Sequence, residues 1–282
     1  MPAHPYKIVL PGRAPRVPLI AHIPHSQTLI GPRQRKQILL SDDELQRELV
    51  RMTDWHTDHL FSWVLDLGGT LFIYLLSRLV MDPERFADDA KEPMAAVGQG
   101  VVYTHTSDGR ALATITPAER AERIAELYTP YHEGLTALCR HILRDEPWLY
   151  LLDCHSVAST PLPHEPDQSP DRPDICIGTD EYHTSQKLAD RLQQEFAAEG
   201  FRVAQNTPFE GTFVPTPFLH TEPRINSIMI EVRRGLYCSE ETGERLPEFD
   251  EVRAALHRAV ARALELYARK VYCAYNLWRC RR

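Results

Sequence analysis

Short apolar runs alternate with helix-forming segments along almost the whole chain, and each run stops at a turn former or a polar residue. The runs are residues 17–23 (VPLIAHI), 69–75 (GTLFIYL), 148–152 (WLYLL), 174–177, 202–205 and 227–232 (SIMIEV). Runs this short, bounded by turn residues, suit buried strands. Pro18 stands near the start of the first run, where a strand tolerates proline best. Between the runs, Ser41 followed by acids heads a helix over 42–52, and Thr116-Pro117 opens a longer one to about residue 143. Residues 181–199 carry leucine and phenylalanine at helical spacing, and 247–271 place Leu256, Val260, Leu264 and Tyr267 on one face. This alternation predicts an α/β sheet covered by helices on both faces. No repeat or low-complexity linker divides the 282 residues, so one domain over 1–282 is expected.

The formal net charge of -7 argues against a nucleic-acid partner. It does not argue against an acidic ligand, which a local arginine cluster can hold. The 6 cysteines are scattered without a C-x-x-C pair and read as reduced thiols. No apolar run is long enough for a membrane span, and the first residues lack a signal-peptide pattern. A cytoplasmic protein is therefore expected. Oligomeric state is left open. The proline-rich stretches 160–174 and 207–223 read as long surface loops, which are often functional.

Ligands collect at the carboxyl ends of strands in such folds, and there the run ends deliver ionisable residues. The first run leads to His25, the third to Asp153 and His155, the last to Glu231, and the second to Arg78, Asp82 and Arg85. Neutral imidazole is a good zinc ligand, and a catalytic zinc takes three protein ligands plus water. His25 and His155 are the candidate pair, with Asp153 placed to orient the second imidazole. Asp54 is the candidate third ligand, with His56 and Asp58 as competitors. Each also has a plain structural use: a strand-end histidine, or a helix cap at Asp54. Glu231, on an apolar run, needs either a partner, for which Arg233 and Arg234 are at hand, or a catalytic role as general base. Arg78 and Arg85 can hold carboxylates bidentately, or pair with Asp82 and Glu84. Cys154 beside His155 does not suit a cysteine nucleophile, because adjacent strand residues point to opposite faces.

The ordered set Pro24-His25-Ser26, Asp54 to Asp58, Ser77-Arg78 with Asp82 and Arg85, Asp153-Cys154-His155-Ser156, Asn206 to Gly211, and Ile230-Glu231-Val232-Arg233-Arg234-Gly235-Leu236-Tyr237 resembles the N-formylglutamate amidohydrolase family. The likeness runs from about residue 17 to 240. That family is similar at a distance to the zinc carboxypeptidases. The resemblance implies a mixed sheet between helices, zinc-carboxypeptidase-like (phosphorylase/hydrolase-like), with one zinc ion per chain. It further implies His25 and His155 as ligands, Glu231 as catalytic glutamate, and Arg85 as a substrate-binding arginine. Arg78, Ser26, Asn206 and Gly211 join the expected substrate-binding set. The carboxypeptidases complete the metal site with a glutamate three residues past the first histidine. Here that residue is Thr28, a poor zinc ligand, which turns attention to Asp54. Gln27 stands where the family usually has glycine, and Glu84 where it often has asparagine. The implied reaction is hydrolysis of N-formylglutamate, a small N-acyl acidic amino acid, to formate and glutamate in histidine breakdown. Zinc would polarise the formamide and activate water, with Glu231 carrying the proton to the departing amine. A different acyl group, or a non-catalytic binder of an acidic metabolite, are the alternatives.

Overall fold

The computed structural model describes residues 2–12 and 16–279, with side chains as far as residue 264. Among these residues, the strands are β1 Tyr6–Val9, β2 Leu19–Ile23, β3 Thr70–Tyr74, β4 Leu149–Val157, β5 Ile175–Gly178, β6 Val203–Gln205 and β7 Ile225–Arg233. They form one 7-stranded sheet in the order β1-β3-β2-β4-β7-β5-β6. β3, β2, β4 and β7 run parallel, and β1 and β5 join antiparallel, so the sheet is mixed. The helices are α1 Pro32–Gln37, α2 Asp42–Met52, α3 Thr57–Leu60, α4 Pro117–Arg123, α5 Thr129–Asp145, α6 Gln186–Ala198 and α7 Phe249–Arg279.

Local chemistry explains most of the boundaries. α2 and α4 each start at a reciprocal cap, Ser41 with Glu44 and Thr116 with Glu119, which satisfies two otherwise orphaned N–H groups. The single helix expected over 117–143 is broken by a wide turn at Ile124–Tyr128, just before Pro130, whose ring nitrogen cannot donate to the helix. The helix expected from 181 begins only at Gln186. Asp180 Oδ1 accepts the backbone N–H groups of Tyr182 and His183 at 2.9 and 2.8 Å, a local turn that competes with helix. In α7, Leu256 and Val260 are buried as expected, while the side chain of Tyr267 lies outside the described residues.

Two differences from the sequence reading matter for the site. β1 was not expected, because a half-exposed edge strand lacks a long apolar run. β4 does not stop at residue 152 but continues through Val157, paired with β7 from Leu149↔Ile225 to Val157↔Arg233. Backbone pairing is indifferent to side-chain polarity, so Asp153, His155 and Glu231 sit on strands, not past their ends.

The sheet's two faces separate by the period of two. One face packs Leu152, Cys154, Ile228 and Ile230 against Leu188, Phe196, Leu256 and Val260 of α6 and α7. The other packs Ile20, Leu149, Leu151 and Ile225 against Tyr131, Leu135 and Cys139 of α5. On this second face the apolar series gives way to His22 in β2, Asp153 and His155 in β4, and Glu231 in β7. Polar groups thus converge at the carboxyl edge of the parallel strands. Cys139, Cys154, Cys176 and Cys238 are buried free thiols, and the side chains of Cys273 and Cys280 lie outside the described residues. Among the described residues no helix is long and apolar enough to cross a membrane.

Candidate metal centre

His25 follows the end of β2, and Asp54 follows α2, its N–H bonded to the His25 carbonyl at 3.0 Å. This backbone link fixes the two beside His155 on the neighbouring strand β4. Asp54 Oδ2 lies 3.1 Å from His155 Nδ1 and 3.7 Å from His25 Nδ1. All three residues are buried, and their candidate ligand atoms lie within 4.8 Å of one another. Two overlapping groups, His22 with Glu84 and Asp153, and His25 with Asp82 and Glu84, also meet that spacing. The first group differs in presenting the Nδ1 atoms of two imidazoles whose Nε2 atoms are held from behind. His25 Nε2 donates to Asp82 Oδ1 at 2.9 Å, and His155 Nε2 lies 3.0 Å from Asp153 Oδ1. A carboxylate behind each imidazole fixes the tautomer and aims the other nitrogen forward.

His25 Nδ1 is buried and has no hydrogen-bond partner. An orphaned imidazole nitrogen facing a carboxylate and a second imidazole fits a zinc ligand set chemically. The electrostatics agree with a site shaped for positive charge. Burial and Arg78 pull the His25 imidazole down, yet Asp82 and Asp54 outweigh them and hold it above its ordinary pKa. Burial likewise opposes the charge on His155, but Glu84, Asp153 and Asp54 raise it well above the usual value. Asp82 is fully buried and stays ionised because His25, Arg78 and Arg85 surround it. It also accepts the Tyr103 hydroxyl at 2.7 Å. Asp153 is backed in turn by His22 Nδ1 at 2.9 Å, whose Nε2 lies 2.5 Å from the Tyr131 hydroxyl, and by the N–H of Phe213 at 2.8 Å.

Because Asp82 is the support behind His25, Asp82→Asn is expected to weaken zinc binding by roughly 10–100-fold while the fold persists. Competition against a chromophoric chelator measures this, with circular dichroism as the control for folding. An affinity within about twofold of wild type would mean that Asp82 does not orient the ligand.

Glu231 pairs in register with His155 across β4 and β7. Its Oε2 is buried without a partner. Burial pushes its carboxyl up to about 7, with His155 and Arg234 opposing and Asp54 and Glu84 adding to the rise. The ion pairs offered by its neighbours are not made: Arg233 binds Asp174, and Arg234 Nη1 donates to the Arg51 carbonyl at 2.8 Å.

His25, Asp54, His155, Glu231, Arg78, Arg85, Asn206 and Gly211 all line one cavity of about 680 Å³, a size common for small-molecule sites. Ser26 does not line it; it accepts a hydrogen bond from Gln27, whose amide also donates to Asp58. Asp58 is therefore engaged away from the two imidazoles, and His56 Nε2 bonds the Gly243 carbonyl at 2.8 Å. Asn206 has both ends of its amide tied to Thr179, at 2.8 Å each. Gly211 adopts a φ of 86°, and its carbonyl packs where a Cβ on Gly178 would stand, only 2.2 Å away. Its freedom thus serves the loop's seating on β5. Arg78 is pinned on Asp82 by Nε at 3.2 Å and Nη2 at 2.7 Å. Arg85 is looser, 3.7 Å from Asp82 and 4.0 Å from Glu92. Glu84 points inward, 3.1 Å from His155 Nε2 and 3.7 Å from His25 Nδ1. Cys154 is in the opposite core, and burial pushes its thiol well above the usual range, which removes it as a nucleophile. Arg234, His132 and His164 also line the cavity. The sequence reading offered Arg234 only as a partner for Glu231.

A model of the N-formylglutamate amidohydrolase family matches residues 17–238. An N-formylglutamate deformylase of Pseudomonas aeruginosa is 29% identical over 240 residues, covering 83% of this chain and 86% of that protein. One from Pseudomonas putida is 27% identical over 231 residues, covering 80% and 83%. The crystal structure of an N-formylglutamate amidohydrolase from Ralstonia eutropha aligns with a TM-score of 0.82 at 25% identity, covering 94% of this chain and 99% of that one.

Proposed function

Since the chain belongs to the N-formylglutamate amidohydrolase family, we propose that it hydrolyses the formamide of N-formyl-L-glutamate: water breaks the C–N bond and the products are formate and glutamate. The observation that carries the reading is the meeting of two supported imidazoles, Asp54 and an unpartnered Glu231 on one cavity wall. His25, Asp54 and His155 would hold one zinc ion per chain, which when bound would supply Lewis-acid polarisation of a carbonyl and lower the pKa of water to roughly 7.

The chain's own residues do the rest. Asp82 and Asp153 keep the two imidazoles aimed. Glu231 takes a proton from the attacking water at Oε2 and delivers it to the departing nitrogen. Without that delivery the amine leaves as a poor, anionic group. A carboxyl pushed up to about 7 is matched to both halves of this transfer. Arg85, the looser of the two arginines beside Asp82, holds a substrate carboxylate, and Arg78 stiffens that corner. Leu162, His164 and Glu165 of one loop and Phe209 to Val214 of another line the cavity.

The test is a substrate panel on purified, zinc-loaded protein. N-formyl-L-glutamate is expected to be hydrolysed at least about tenfold more efficiently than the N-acetyl or N-succinyl analogue, a difference of roughly 1.4 kcal/mol in transition-state binding. Preference for another acyl group would overturn the substrate assignment. Tight binding without turnover of any of the three would replace the enzyme with a binding protein.

A further inference from the structure

We propose that Arg234 is a specificity-determining residue that holds one carboxylate of a dicarboxylic substrate while Arg85 holds the other. The inference takes its ligand class from the proposed hydrolysis, but its test does not require turnover.

Arg234 lies three residues past Glu231, in the turn Arg234–Leu236 that follows β7. Its residue exposure is 5% and it lines the cavity. Nη1 donates to the Arg51 carbonyl at 2.8 Å and reaches the Val50 carbonyl at 3.5 Å. These carbonyls belong to the last turn of α2, where a helix end carries partial negative charge and favours a cation. The rest of the guanidinium is not used in this way. Nη2 stands 4.0 Å from Asp54 Oδ1, outside hydrogen-bond range, and Nε is buried without a partner. A guanidinium has five N–H donors, and leaving buried donors unsatisfied costs free energy that an incoming anion recovers.

Arg78 offers a direct contrast. Two of its nitrogens converge on one oxygen of Asp82, so its charge is already matched. Arg85 and Arg234 line the cavity, and the Nε of each is buried without a hydrogen-bond partner. They also come from different sides of the centre. Arg85 follows β3 and Arg234 follows β7, and β2, which leads to His25, and β4, which carries His155, lie between those two strands in the sheet. The intervening wall holds Asp54, Glu84, Asp153 and Glu231. A ligand with two negative charges would be repelled there unless each charge had its own cation. One arginine at each flank meets that need, and each fork matches a carboxylate in planar, bidentate fashion.

The probes are L-glutamate, L-glutamine and 4-aminobutyrate, titrated calorimetrically into zinc-loaded protein. Glutamine lacks the charged side-chain carboxylate, and 4-aminobutyrate lacks the α-carboxylate. Wild type is expected to bind glutamate roughly 10–100-fold more tightly than either, the range for hydrogen bonds to charged groups. Arg234→Gln should abolish one of these two gaps and leave the other; Arg85→Gln should do the converse. Arg234→Lys, a point charge without the fork, should restore part of the lost gap. An equal weakening of all three probes by Arg234→Gln would assign Arg234 a merely structural role at Asp54 and α2, overturning the inference. So would unchanged binding of all three. Wild type that binds glutamate no better than both single-carboxylate probes would overturn it without any variant. Failure to hydrolyse N-formyl-L-glutamate counts against the proposed reaction and leaves these readings of Arg234 in force.

Discussion

Glu231→Gln should lower kcat by roughly 10²–10⁴-fold, the usual contribution of a positioned proton carrier, and leave zinc content unchanged. Glutamine keeps the shape of the side chain and cannot take a proton from water. Little structural is lost, because Oε2 makes no hydrogen bond and the neighbouring arginines are engaged elsewhere. Stability should move the other way. Burial pushes the carboxyl up to about 7 from its usual 4.5. An acid whose folded pKa is raised contributes stability at low pH that is lost as pH rises through the folded value. In metal-free protein, wild type should therefore lose stability relative to Glu231→Gln between about pH 5 and pH 8. Thermal melts across that range and steady-state kinetics on zinc-loaded protein make the paired measurement. A variant that is inactive and yet no less stable identifies a chemical role. A loss of only a few-fold in kcat, with zinc retained, would mean that Glu231 is not the proton carrier.

The residues that the sequence made conspicuous were those that interrupt an apolar run. His25, His155 and Glu231 stand out because a buried strand has no ordinary use for them, and the structure brings all three to one cavity wall. What the letters did not carry was sheet order. The order β2-β4-β7 places His155 between the other two, and strand neighbours far apart in sequence leave no local signature. Asp82 shows the same limit. Arg78 was a candidate partner for it, and that pair exists, buried and not at the surface. Nothing local indicated that the carboxylate would also be fully buried behind His25 and bonded by Tyr103. Arg234 was visible as a charge near Glu231, but its anchor is a helix-end carbonyl at Arg51, and backbone acceptors have no letter. Ser26 was expected among the substrate-binding residues. Gln27 instead ties it toward Asp58, outside the cavity lining. Alternation and capping are local physics and were legible. The reach of a side chain across the sheet is not local.

Removing one ligand should reveal whether the three-residue site is a metal site at all. Purified wild type is expected to retain about one zinc per chain, the stoichiometry of a three-ligand catalytic site, and His155→Ala to retain almost none. Hydrolysis should fall with the metal by at least about a thousandfold, since Lewis-acid stabilisation contributes several kcal/mol and each 1.36 kcal/mol is tenfold. The thermal signature should separate loss of metal from loss of fold. A ligand present at about 1,000 times its dissociation constant stabilises by roughly 4 kcal/mol, so zinc should raise the melting temperature of stripped wild type and not that of His155→Ala. The pH dependence has a definite sign. Asp82 and Asp54 hold the His25 imidazole above its ordinary pKa, and Glu84, Asp153 and Asp54 do so more strongly for His155. Protons therefore compete with zinc for the same nitrogens, and zinc affinity should rise steadily with pH through neutrality. Stripped wild type that hydrolyses the substrate at the loaded rate, with zinc absent by elemental analysis, would remove the metal from the reaction and leave His25, Asp54 and His155 as a buried charge network.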